Sequence, residues 1–183
     1  MTSPRFGAAL MAASLAVIAL PPRAAADQQP NPAESVLLSH SHVRAFDKVA
    51  LQVLPAAVAC SPTVARMVSE LQTSDLIVGI EAHPFRTKVA GELRILAAAG
   101  GVRHVRIRLQ TPNSMENLLW ILGHELHHAM EVAGAPEVRD AATQRAYFAR
   151  VGWERDGGGR FETEAAVEAG RLVAREVAGC RAR

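Results

Sequence analysis

Three histidines and a glutamate fall within five consecutive residues, His124-Glu125-Leu126-His127-His128, of a 183-residue chain that has seven histidines in all. His124 and His128 are four apart, so on a helix they share a face and can reach one metal ion in the tetrahedral manner zinc prefers. Glu125 lies one step round, close enough to hold a water at that ion and take its proton. Zinc brings the pKa of such a water toward neutrality, so the two parts suit each other at ordinary pH. His127 points off the shared face and reads as an exposed or supporting histidine. H-E-x-x-H is a short motif, and chance supplies it in roughly one or two chains in a hundred of this composition. Its flanks, Leu118, Leu119, Leu122 and Leu126, are apolar, so the motif belongs to a helix that packs rather than to a solvated polar face. A hydrolytic metal site, a metal site without hydrolysis and an accident of sequence are the three readings open at this point.

The elements that must position these residues can be read outward from the motif. Asn113 can cap the helix, with Glu116 completing a capping box, and the helix should run to about Val132 before Gly134. Three strand-like runs precede it. Asp75 to Glu81 is short and apolar. A second run begins at Gly91. The third, from Gly100 to Gln110, alternates, with Val105, Ile107 and Leu109 on one face and His104, Arg106 and Arg108 on the other. Gly100 and Gly101 suit a hairpin, and Thr111-Pro112 ends the sheet. Arg103, Arg106 and Arg108 read together as a solvated sheet face. Upstream, Val43 to Ala59 suits a helix or partial helix interrupted by Pro55. Ser61 then caps a clearer one, with Pro62 first and Val64, Met67, Val68 and Leu71 at helical spacing. Downstream, a helix follows Pro136 and stops before Gly152, Gly157 to Gly159 form a flexible loop, and a last helix runs from about Phe161 to Ala178. The expected class is α+β: a small antiparallel sheet packed on the motif helix and a C-terminal helix.

Residues 1–26 have the form of a secretory signal: Arg5, an apolar run from Phe6 to Leu20, and a small-residue cleavage site at Ala24 to Ala26. The run is short for a bilayer span, so no membrane association is expected after cleavage. Residues 27–42 read as a flexible leader, and 43–183 as a single domain. The chain has 20 Lys+Arg and 18 Asp+Glu; Arg5 and Arg23 lie in the signal, so the remainder is balanced at 18 of each. That removes the basic footprint nucleic-acid binding needs. Two cysteines, Cys60 and Cys180, read as one disulfide in an exported chain, or as two unrelated small buried residues. A periplasmic or secreted location is the expectation; oligomeric state leaves no signal.

The stretch His124 to His128 after a small sheet resembles the active-site helix of the zincin metallopeptidases, specifically over about five residues and architecturally over roughly 75 to 180. The metzincin extension is absent, because Glu131 and Gly134 stand where its glycine and last histidine would be. The gluzincin arrangement remains, and it implies a third ligand from a glutamate further along the chain. Among Glu162, Glu164 and Glu168, helical phase favours Glu162. It leads the stripe Ala166, Ala169, Val173, whereas Glu164 and Glu168 share a charged stripe with Arg171 and Arg175. Glu131, on the histidine face, is the competing ligand or else supports a ligand. Asp140 can orient a ligand histidine or be a surface charge, and Tyr147 reads as a core residue rather than a carbonyl-polarising one. The resemblance implies a zinc metallopeptidase acting on a peptide or protein, with Glu125 catalytic and the substrate extended along an outer strand, for which Val102 to Leu109 is the candidate. The alternative is a secreted metal-binding or interaction module with a non-hydrolytic site.

Overall fold

The sheet ahead of the motif helix has four strands of mixed direction, in the order β1-β2-β4-β3, in a computed structural model that describes residues 41–86, 89–155, 157 and 159–181. The signal and nearly all of the leader expected from the sequence lie outside the described residues. β1 (Val43–Ala45) pairs parallel with β2 (Leu76–His83), and β2 pairs parallel with β4 (Val102–Gln110). β3 (Gly91–Ala99) pairs antiparallel with β4. The all-antiparallel expectation is therefore corrected. So is the choice of outer strand: β4 lies between β2 and β3, and β3 forms the edge. The physical reason is visible in β2, whose run Leu76 to Ile80 is apolar on both faces, as an interior parallel strand requires. Gly100 and Gly101, at φ 59° and 81°, make the expected tight turn from β3 to β4.

Helices cover one face of this sheet. α1 (Ala50–Cys60) carries Pro55 inside it rather than stopping there, and β1 occupies the start of the stretch expected to be wholly helical. Asp47 Oδ1 accepts from the backbone of Val49 and Ala50, which opens the helix. α2 (Pro62–Leu71) begins as the sequence indicates, with the Ser61 side chain accepting from Val64 N. α3 (Met115–Ala133) is the motif helix; its cap is Ser114, which accepts from Asn117 N, one residue later than the expected Asn113. Eleven of its residues are buried, on more than one side, because it lies between the sheet and the other helices. α4 (Ala141–Val151) follows, and then a two-stranded hairpin, β5 (Trp153–Arg155) with β6 (Arg160–Glu162). Gly157 and Gly159, at φ 64° and 70°, lie in its turn, where a loop was expected. α5 (Glu164–Arg181) starts three residues later than the sequence suggests.

Arg103 departs furthest from the expected solvated face. It is fully buried, on the side of β4 that also carries Val105, Ile107 and Leu109. Its guanidinium donates to both Asp75 carboxylate oxygens at 2.7 Å. It also donates to the carbonyls of Val132, Ala133, Ala135 and Val138. A cation thus closes the C-terminal end of α3, where unpaired carbonyls and the helix dipole both favour positive charge. Arg106 and Arg108 do occupy the other face, both paired with Glu81.

At the far end of the helical layer, Cys60 and Cys180 form a disulfide across Cα atoms 5.4 Å apart. One turn earlier on α5, Glu176 accepts from the hydroxyls of Ser61 and Thr63. The carboxylate sits at the N-terminus of α2, where backbone N–H groups lack partners. Together these contacts fix α5 against the α1–α2 junction.

Candidate metal centre

His124 and His128 lie one turn apart on α3, with ring centroids 4.8 Å apart and planes at 85°. Glu162 comes to them from the end of β6, immediately before α5. One ligand atom from each of His124, His128 and Glu162 lies within 4.8 Å of the other two. Donor atoms around a tetrahedral zinc are about 3.3 Å apart, so a small inward movement of these side chains would complete the geometry. The closest pair, His124 Nε2 and Glu162 Oε2, is 3.1 Å apart. Yet Glu162 Oε2 is buried without a well-formed hydrogen bond. The contact is short but poorly aligned, as expected of two groups aimed at a common third point rather than at each other. Two imidazoles and a carboxylate are a donor set that suits a divalent transition ion.

The route by which Glu162 arrives differs from the helical phase expected of it. Glu162 is a strand residue paired with Trp153, and Thr163 is the cap of α5, accepting from Ala166 N at 3.2 Å. The stripe Ala166, Ala169, Val173 is buried as expected, and Glu164 and Glu168 face solvent. Close packing at this stripe brings α5 to α3: a Cβ on Gly123 would sit 2.5 Å from Val173 Cγ2, and one on Gly170 would sit 3.2 Å from His124 Cβ.

Glu131 is a support rather than a member of the ligand cluster. Its Oε2 is 2.7 Å from His128 Nδ1, which fixes the ring and turns Nε2 toward the cluster. The Thr163 side chain, the cap of α5, also acts to lower the Glu131 carboxyl. Thr163 is not among the residues the sequence singles out, because a helix starting at Phe161 leaves it inside the first turn rather than at the cap. Burial alone would raise the Glu131 carboxyl, but the hydrogen bond from His128 and the Thr163 side chain outweigh it and hold the carboxyl below its usual range. Burial likewise opposes charge on both His124 and Glu162. Their mutual contact prevails, raising the histidine and lowering the carboxyl.

Glu125 is 5% exposed and points between the cluster and the start of β3. A Cβ on Gly91 would lie 2.5 Å from its Oε1, so the glycine provides the room the carboxylate occupies. Burial pushes the Glu125 carboxyl up, against the lowering effect of positive charge on His128 and His124.

Other candidates do not join the site. His127 lies 3.9 Å from Glu131 and contributes no atom to the cluster. Asp140 does not orient a histidine. It caps α4 from the surface, bonded to Thr143 in a reciprocal capping box. Tyr147 is half-buried, packed on Phe148 at 5.1 Å with Arg150 5.5 Å from its ring centroid. Phe148 itself packs edge-on to His128 at 5.1 Å. A cleft of about 480 Å³ opens over the cluster, with the edge of β3 on one side and Gln144, Arg145 and Phe161 opposite. In comparisons with known proteins, the chain matches no family model, no curated protein and no solved structure.

Proposed function

We propose that the protein is an exported zinc metallopeptidase that hydrolyses peptide bonds in the cleft between β3 and α4. The observation that carries this reading is the convergence of His124, His128 and Glu162 beside a buried Glu125 that is not part of the ligand cluster. A purely structural metal site takes four protein ligands, whereas a catalytic one keeps a position open and needs a base next to it. Zinc, when bound, supplies Lewis acidity, easing removal of a proton from water and drawing electrons from a carbonyl oxygen. Glu125 then takes the proton from the attacking water and can return it to the leaving amine nitrogen. His124, His128 and Glu162 hold the ion, and Glu131 holds His128 in the tautomer that leaves Nε2 to ligate. An extended peptide would lie along β3, adding a strand to the open edge of the sheet. The disulfide accords with an oxidising compartment, and so with export.

The test is a peptide-library cleavage assay on the zinc-loaded protein with and without a chelator. Cleavage that the chelator abolishes and added zinc restores is the expected result. Bound zinc without cleavage of any peptide would instead favour a metal-binding module.

A further inference from the structure

The cleft has an end, and a side chain forms it. In the antiparallel register of β3 on β4, Ala90 O accepts from Gln110 N, and Glu92 and Arg94 stand opposite Arg108 and Arg106. Backbone groups alternate in direction along a strand, so those of Gly91, Leu93 and Ile95 point away from β4, into the cleft. Two of these outward groups are already taken. Gln144 Oε1 accepts from Ile95 N at 2.9 Å, and Gln144 Nε2 donates to Leu93 O at 2.9 Å. One primary amide thereby makes the two hydrogen bonds that the N–H and C=O of one residue in a parallel added strand would make. β3 also loses regular register just beyond, between Ile95 and Ala97.

We infer that Gln144 sets the length of substrate accepted on one side of the scissile bond. The inference rests on the metallopeptidase reading. Gly91 lies against Glu125 and so marks the reacting end of the edge. From there to Leu93 is about 6.6 Å of strand, room for about two residues of an added strand before the Gln144 amide occupies the next pairing position. A longer extended chain must displace that amide from both bonds, or leave the sheet edge and forgo them. The protein therefore favours substrates that end shortly past the scissile bond on this side, with no corresponding limit from Gln144 on the other.

Gln144→Ala separates this from a structural role. Binding is measured by fluorescence polarisation on zinc-loaded Glu125→Gln protein, so that bound peptide is not turned over. The probes are a capped Ala- and Val-rich peptide of roughly four residues, and the same peptide extended by roughly four more at either end. With Gln144 present, extension at one end should give no gain in affinity. With Gln144→Ala that same extension should tighten binding about tenfold, while the short peptide and the zinc content stay as they were. Gln144→Glu keeps an acceptor for Ile95 N but sets a carboxylate oxygen against Leu93 O. It should weaken the short peptide less than tenfold and bind the extended one between the other two proteins. Identical length profiles in all three proteins would overturn the inference, as would equal loss of short and long peptides in Gln144→Ala. Failure of the peptidase reading would show separately, as absence of cleavage by zinc-loaded protein with Glu125 intact.

Discussion

Gly91 lacks a side chain where Glu125 needs room, and this makes it a sensitive probe of the proposed base. Gly91→Ala would push Glu125 from its place while leaving His124, His128 and Glu162 untouched. Zinc content should be unchanged, and turnover should fall about a hundredfold, the scale expected for misplacing a reacting group by about 1 Å. Unchanged turnover in the zinc-loaded variant would place the base elsewhere. Glu131→Ala should act oppositely, weakening zinc about 10–100-fold by freeing the His128 ring, whereas His127→Ala should leave affinity unaltered. Titration with a competing chelator measures both. His124, Glu125 and His128 were legible from their spacing alone, because helix geometry fixes their relation locally. Glu162 was legible as a residue, but it ends a strand rather than leading a helix. Phase counting could not reveal that, since β6 has only three residues. Asp140 misled for a similar reason: an aspartate before a helix is a cap far more often than a histidine partner.

Among the elements, α3 depends most on a residue distant in sequence. Arg103, from β4, supplies hydrogen bonds to four carbonyls around the C-terminal end of α3 and pairs with Asp75. Arg103→Met should cost roughly 3 kcal/mol or more, because buried carbonyls would lose their partners; denaturant unfolding checks this. Asp75 gives the pH dependence. The hydrogen bonds from Arg103 hold its carboxyl below the usual range, against the opposing effect of burial. A carboxyl lowered in the folded state stabilises fully above its unfolded pKa of about 3.9 and loses that contribution as pH falls through the lowered value. Asp75→Asn should therefore melt at lower temperature than the wild type at pH 7, and the gap should close on acidification below about pH 4. A gap that widens in acid would contradict the pairing. Sequence alone placed α2, β2, β3, β4 and α3 nearly correctly, since each has a strong local pattern. It missed β1, too short to show a period, and strand order, which depends on contacts far apart in the chain. The continuous apolar run of β2 did carry the signal of an interior strand.

For the molecule as a whole, α5 connects the His124, His128 and Glu162 cluster to the far end of the helical layer. Its first turn is capped by Thr163, the residue after Glu162, and its last is tied to α1 by the disulfide. The bridge spans 120 residues of sequence, a loop for which chain entropy gives about 4–5 kcal/mol. Replacing Cys60 and Cys180 by serine should lower stability by about 2–5 kcal/mol, read as a shift of the unfolding midpoint. The Glu176 contacts to Ser61 and Thr63 remain in that variant, so it should still bind zinc below its lowered melting temperature. The bridge between Cys60 and Cys180 was legible from an even pair of cysteines in a chain read as exported, and the structure shows it; the packing of α5 that brings the two together was not.

The most direct measurement compares zinc-loaded wild type with Glu125→Gln on one peptide, with metal content determined on the same samples. The account predicts about one zinc per chain in both proteins, hydrolysis by the wild type, and none above background by the variant, because an amide cannot take the proton. Equal hydrolysis by the two proteins, or wild-type protein that binds no zinc, would contradict it.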